Sequence, residues 1–277
     1  MDTKRIYSAE EIISIVKEKR VAIWGAGNIG KRLYSSLTET GLASNVECFV
    51  TTNGQADKVC NLSVIPYRQL MNDRKIFYLI AVHETILEEI ENILRRNEEE
   101  KYLWVTPAIL DITLGPPKEY SKEIDIKTIW AANKFNLNFA ARYLAIEQYY
   151  GNREDGYDIY VKCMSTFSSN EVAKKRLASF ISLLSSWDKY GYDRTKCSKV
   201  LENNICIDGA HRIVTAIYHL ERSVSCDIYF TNKTLYEIHE EGVFLSPELA
   251  YKKGIDSIIV HKLEDMITYI DAKLGRG

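Results

Sequence analysis

A chain of 277 residues and 31.9 kDa has room for two ordinary domains, and a hydrophobic content of 46% can supply both cores. The formal net charge of -2 and a pI near 6.3 leave no general electrostatic footprint for nucleic acid. Six cysteines without a C-x-x-C pair argue against a zinc ribbon or a thioredoxin-like motif, and no apolar run approaches the ~18 residues of a membrane span. The charged amphipathic start is no signal peptide, so a soluble, cytoplasmic, reducing-compartment protein is expected.

The first part of the chain alternates strands and helices. Ser8 with Glu11 three residues on forms a capping box and opens a helix. Residues 19–24 (KRVAIW) read as a strand, GAGNIG as a turn and residues 31–40 as a helix. Residues 46–50 (VECFV) give a second strand, Val64-Ile65-Pro66 a strand end, and residues 76–82 (IFYLIAV) a buried strand. Residues 85–97 form an amphipathic helix with Ile86, Ile90, Ile93 and Leu94 on one face, and residues 101–105 close the pattern. This alternation predicts right-handed crossovers and a mainly parallel sheet. Pro107, Pro116 and Pro117 then end a first domain.

Beyond the prolines, residues 124–150 read as helical and residues 157–162 (YDIYVK) as a strand. Residues 171–187 read as a helix with Leu177, Phe180, Ile181 and Leu184 at core spacing. Residues 198–207 are a strand pair or one strand broken at Asn203-Asn204; residues 224–230 form another strand, and residues 234–277 a helical tail. The expected layout is α/β: a nucleotide-binding domain over 1–115, a helical linker over 116–156, and a second domain with its tail over 157–277.

Two turns carry the chemistry. In VAIWGAGNIGKRL, Gly25 suits a tight turn, Gly27 allows a phosphate to approach backbone, and Gly30 lets helix and strand pack closely. The helix N-terminus that follows the turn, with Asn28 beside it, offers free N–H groups to an anion. An NAD site usually adds an acid about twenty residues on. Thr51, Thr52 and Asn53 stand there instead, with Glu47 inside the strand. His83 follows the buried strand and reads as a loop residue. The alternative for GAGNIG is a turn that keeps its glycines for packing. With its FV-TTN, V-IP-QL and IAV pieces, the segment resembles the Rossmann-like nucleotide-sugar-binding N-terminal domains of bacterial sugar acyltransferases and related surface-polysaccharide proteins. The resemblance implies a nucleotide-sugar, or a dinucleotide, as ligand.

The second turn lies in ICIDGAHRIVTAIYHL. Gly209 permits the turn, the N–H groups of Ala210, His211 and Arg212 can face an anion, and Arg212 suits bidentate phosphate contact. His211 can donate or titrate, and Asp208 can hold Mg²⁺ or orient a hydroxyl. Lys162 and Arg176 are candidates to complete the phosphate contacts. The structural alternative has Asp208 capping the helix, His211 filling a polar pocket and Arg212 paired with an acid.

In order and flanks, residues 157–230 resemble the ParB/sulfiredoxin-like superfamily, in which such a turn opens a helix that holds nucleotide phosphates. Ala210 stands where sulfiredoxins carry their cysteine, which speaks against that chemistry. The acidic YEIHEEG stretch and the short tail speak against a DNA-binding ParB relative. Asp208 and Gly209 match the Asp-Gly-led turn of the free-serine kinases in this fold, although Glu171 is only a weak match to their upstream glutamate. The resemblance implies a phosphotransferase that uses ATP or CTP with Mg²⁺ on a small hydroxyl compound or sugar. Its catalytic residues would be Asp208, His211 and Arg212. Nucleic acid and membrane are not expected partners, and a homo-oligomer is left open. A non-catalytic nucleotide sensor and an NAD-dependent oxidoreductase are the alternatives.

Overall fold

The computed structural model describes residues 7–53, 58–232 and 244–275. The chain is α/β and divides at Pro116/Pro117 into two compact units, each with its own sheet. Among the described residues no helix is long and apolar enough to cross a membrane.

In the first unit the expected capping box is present: Ser8 Oγ accepts from Glu11 N at 3.2 Å, and Glu11 Oε2 accepts from Ser8 N at 2.9 Å. It starts α1 (Ala9–Glu18), which leads to β1 (Val21–Trp24) and α2 (Asn28–Glu39). Next come β2 (Val46–Thr51), β3 (Lys58–Val59), β4 (Leu62–Pro66) and β5 (Phe77–Ile80). The unit closes with α3 (Glu84–Arg96), β6 (Tyr102–Trp104) and α4 (Ile109–Leu114). The six strands lie in the order β3-β4-β2-β1-β5-β6, parallel throughout except for the antiparallel β3–β4 hairpin at one edge. All four residues of β1 are buried, as a central parallel strand covered on both faces requires. β2 and β5 flank β1 on opposite sides, so the strand order reverses at β1, and its carboxyl end is where open α/β sheets place their ligands.

The second unit departs more from expectation. Residues 116–156 are no linker. They supply β7 (Glu119–Asp125), α5 (Ile126–Asn133) and α6 (Leu137–Tyr149), and the helices bury Ile129, Trp130, Phe139 and Tyr143 in the unit's core. The helical stretch expected over 124–150 begins on the end of a strand and is otherwise helical in two pieces, and Asn136 caps the second by accepting from Asn138 N. Residues 157–162 are not a strand but part of α7 (Gly156–Ser165), with Ile159, Tyr160, Cys163 and Met164 buried on one face. The long α8 (Asn170–Tyr190) follows, then β8 (Ser198–Leu201), β9 (Cys206–Asp208), α9 (Ala210–Tyr218) and β10 (Ser223–Tyr229). The strands run β7-β10-β8-β9, with β10 parallel to β8 and both edges antiparallel.

Of the tail expected over 234–277, residues 234–243, 276 and 277 lie outside the described residues. The rest forms α10 (Pro247–Lys252) and α11 (Ser257–Gly275). The tail is integral to the second unit. Asp271 Oδ1 accepts from Trp130 Nε1 at 2.6 Å, and Lys273 Nζ donates to Tyr143 Oη at 2.9 Å and to Tyr218 O at 3.0 Å.

An aromatic layer closes the far end of α9. Trp187 stacks on His219 at 5.6 Å, and His219 Nε2 lies 3.3 Å from Tyr150 Oη. Partial burial holds the His219 imidazole below its ordinary pKa, with Asp188 and Glu221 opposing that shift. Below about pH 6.5 the unfolded chain therefore takes up a proton that the folded state resists. Stability should be undiminished by this residue above that pH and fall as the solution is acidified. Urea titrations at pH 7.5 and 5.5 should show a loss that is smaller in His219→Gln.

Candidate functional site

The GAGNIG turn sits in the first unit at the carboxyl end of β1, where the sheet order reverses. Gly25 has φ +120°, donates N–H to Val50 O at 2.9 Å, and would place a Cβ 2.5 Å from Ala81 O. A Cβ on Gly30 would come within 1.8 Å of Gly25 O. Packing therefore fixes both of these glycines. Gly27 differs: it precedes α2 in ordinary extended backbone, makes no side-chain cap, and a Cβ there would meet nothing within 4 Å. Gly27 and Asn28 are exposed at the helix start. Glu47 is held away from this end of β2 by a bidentate pair with Arg20, including Arg20 Nη2 to Glu47 Oε2 at 2.6 Å. His83 is more than a loop residue, since its Nδ1 accepts from Thr85 N at 3.3 Å and caps α3.

The DGAHR turn lies in the second unit between β9 and α9. Its position is set from below by the buried Asn133, whose Oδ1 accepts from Cys206 N at 2.9 Å and whose Nδ2 donates to Asn204 O at 2.9 Å. That clamp fixes the β8–β9 turn and so the strand that delivers Asp208. Gly209 is the helix N-cap at φ +83°, and a Cβ on it would sit 2.7–2.9 Å from Ser198. Both conformation and packing demand glycine there. Ile213 N donates to Gly209 O at 3.2 Å, while the N–H groups of Ala210 and Arg212 have no acceptor among the described residues. Asp208 is exposed, and its Oδ1 accepts from Gly209 N at 2.7 Å. It tightens the turn without capping the helix.

His211 and Arg212 face different surroundings. His211 Nε2 shares a 2.8 Å hydrogen bond with Tyr160 Oη on α7, and its ring lies 4.4 Å from that of Phe180 on α8. Arg212 is half-buried; its Nε is sealed from solvent without a partner, and no acid pairs with it among the described residues. The expected alternative of an Arg212 ion pair is thus not what the turn contains.

Two further arginines gather around Tyr160. Arg142 on α6 donates from Nη1 to Asn138 O at 2.8 Å and points Nη2 at Met164 Sδ at 3.8 Å, while its Nε is buried and unpartnered. Burial pushes its guanidinium below the ordinary arginine range, and the neighbours that oppose this are Tyr160, Cys206 and Cys163. None of these carries charge near neutral pH. Burial pushes the Cys163 thiol up to about 12 and raises Cys206 and Tyr160 as well. Arg176 on α8 is likewise lowered by burial, helped by Tyr160 and repelled by Arg142, and its Nε is also sealed and unpartnered. Half-buried cations normally sit beside acids. Here two cations repel each other close to the start of α9, and neither has an ion pair among the described residues.

The sequence-derived candidates therefore separate. Arg176 and His211 share Tyr160 as a neighbour, with Arg212 in the same helical turn as His211. Lys162 is exposed, two residues from Tyr160 and so roughly 200° around α7, away from that neighbourhood. Glu171 is exposed in the first turn of α8 and takes no part. Arg142 and Tyr160 were not anticipated. Arg142 could have been found as a charge inside a run of buried residues, Phe139 to Ile146. Tyr160 was hidden by the strand reading of its segment. Among the described residues no group of three His, Cys, Asp or Glu could hold a metal ion. Compared with protein-family models, curated proteins and solved structures, the chain shows no match.

Proposed function

We propose that the second unit holds the phosphates of a nucleotide, ATP or CTP, at the start of α9, and that the chain is a nucleotide-dependent phosphotransferase acting on a small hydroxyl compound or sugar. In this reading the second unit is ParB/sulfiredoxin-like and the first is Rossmann-like, holding a nucleotide-sugar or dinucleotide over Gly27 and Asn28. The setting in surface-polysaccharide biosynthesis rests on resemblance alone.

The observation that carries the reading is the turn itself: a left-handed Gly209, N–H groups of Ala210 and Arg212 without acceptors, and an Arg212 without an acid. Helix N–H groups and a guanidinium together favour a phosphate. Asp208 fits Mg²⁺ in a limited way, because one exposed carboxylate suffices where nucleotide oxygens complete the shell. When bound, the ion would neutralise phosphate charge. Arg212 and the helix N–H groups would hold the phosphoryl group in line, and Asp208 would orient the acceptor hydroxyl.

A nucleotide sensor is the second reading. It is favoured by the lone carboxylate at the turn, already bonded to Gly209 N, with Glu171 elsewhere. Calorimetry with ATP, CTP, NAD and UDP-sugars, with and without Mg²⁺, separates the readings. ATP or CTP should bind wild type and lose about 30-fold or more in affinity in Arg212→Ala, the range for removing a charged hydrogen bond at a ligand. Failure of both nucleotides to bind removes the phosphotransferase. Binding without turnover on hydroxyl acceptors leaves the sensor, and NAD binding lost in Gly27→Val alone revives the oxidoreductase.

A further inference from the structure

We infer that Arg142 and Arg176, with Tyr160 and His211 between them, form a metal-independent seat for a tetrahedral dianion, the terminal phosphoryl group of a nucleotide or of a phosphate monoester. This deepens the nucleotide reading above and rests on it for the identity of the ligand, though not for the existence of the seat.

A guanidinium carries five N–H donors. Arg142 commits donors to Asn138 O and Met164 Sδ alone, and Arg176 commits none among the described residues. Both Nε atoms are sealed from water, so water does not satisfy those two donors. An arginine kept for structure alone ordinarily ends on a carboxylate or on several backbone carbonyls.

The field around Arg176 comes from Tyr160 and from another cation, Arg142. Around Arg142 it comes from a phenol and two thiols, all driven to their neutral forms by burial. Bringing two such cations together costs stability in the absence of an anion. A single dianion between them would satisfy the free N–H donors and cancel the repulsion at once.

Tyr160 is a neighbour of both arginines and is bonded to His211 in the first turn of α9. Arg142 also feels Cys206 on β9, two residues before Asp208. The cations therefore converge from α6 and α8 on the helix start whose N–H groups of Ala210 and Arg212 have no acceptor. A phosphoryl group there would meet guanidinium groups, helix N–H groups and the Tyr160–His211 pair. The four side chains of the seat include no carboxylate, and Asp208 is held by Gly209 N, so two guanidinium groups and the helix N–H groups can balance a dianion without a metal bridge.

The test is calorimetry on the full chain with inorganic phosphate, pyrophosphate, ATP and CTP, each in EDTA and in Mg²⁺, for wild type, Arg142→Met, Arg142→Lys and Arg176→Gln. Phosphate or pyrophosphate should bind wild type in EDTA, with affinity reduced about 30-fold or more in Arg142→Met and Arg176→Gln and less in Arg142→Lys. The ligand-free Tm of Arg142→Met should equal or exceed that of wild type, since an uncompensated cation is removed. Absence of binding in EDTA overturns the seat even if ATP binds with Mg²⁺. Binding that survives both neutral substitutions overturns it too. Binding that depends on both arginines while ATP and CTP fail to bind upholds the seat and removes the nucleotide reading. Should Arg142→Met fail to fold, Arg176→Gln decides, since Arg176 makes no hydrogen bond to the fold among the described residues.

Discussion

Gly30→Ala should destabilise the first unit by about 3 kcal/mol or more, while Gly27→Ala, three residues earlier, should stay within about 1 kcal/mol of wild type. At Gly30 the new Cβ would lie 1.8 Å from Gly25 O, a backbone atom that cannot swing aside. Helix α2 would have to lift from β1, and Leu33 and Leu37 on its buried face would lose packing. At Gly27 the backbone angles suit any residue and the space for a Cβ is open. Gly27→Ser should even gain roughly 0.2–0.5 kcal/mol, because serine can cap α2 where glycine does not. Amide exchange followed by mass spectrometry, read on peptides from β1 and α2, distinguishes these outcomes without assuming that the two units unfold together. A ligand over the turn would add a loss of binding that the stabilities do not follow. Gly27→Ser would then raise stability and weaken binding, as expected where a glycine leaves room for something outside the fold.

How much of this could be seen in the sequence depended on where hydrophobic pattern and burial coincide. β1, β2 and β5 are short apolar runs between turn residues, and they are buried as such runs must be. β7 is the opposite case. EYSKEID buries only Ile124 because it is an edge strand antiparallel to β10, so it carries no alternation to detect. YDIYVK misleads for another reason. Its Tyr, Ile and Val favour a strand locally, yet Gly156 places α7 hard against α6, where a Cβ would lie 2.0 Å from Leu144 O. The close crossing buries Ile159, Tyr160, Cys163 and Met164 at helical spacing, and tertiary packing overrides propensity. The candidate site divides in the same way. DGAHR is contiguous and its turn chemistry is legible, whereas the cations around Tyr160 come from α6 and α8 and meet only once the helices pack.

Gly209→Ala is the other substitution with a large expected effect, about 2–4 kcal/mol in the second unit. Two causes add. An alanine at φ +83° costs about 1–2 kcal/mol in backbone strain, and its Cβ would press on Ser198 Oγ, Cβ and Cα at 2.7–2.9 Å. A double-mutant cycle separates them. Ser198→Gly removes Oγ and Cβ, so the pair Gly209→Ala/Ser198→Gly should recover about 1 kcal/mol relative to additivity, while the part due to φ persists. Urea unfolding of all four chains gives the coupling. The same turn then decides the role of Asp208. Asp208→Asn keeps an oxygen to accept from Gly209 N, so it should leave stability within about 0.5 kcal/mol. If Asp208 only tightens the turn, nucleotide affinity in Mg²⁺ should match wild type. If its charge holds the ion, affinity should fall about tenfold in Mg²⁺ and be unchanged or higher in EDTA, because a negative group beside the phosphates has been removed. Equal losses with and without Mg²⁺ would contradict both roles and point to a distorted start of α9.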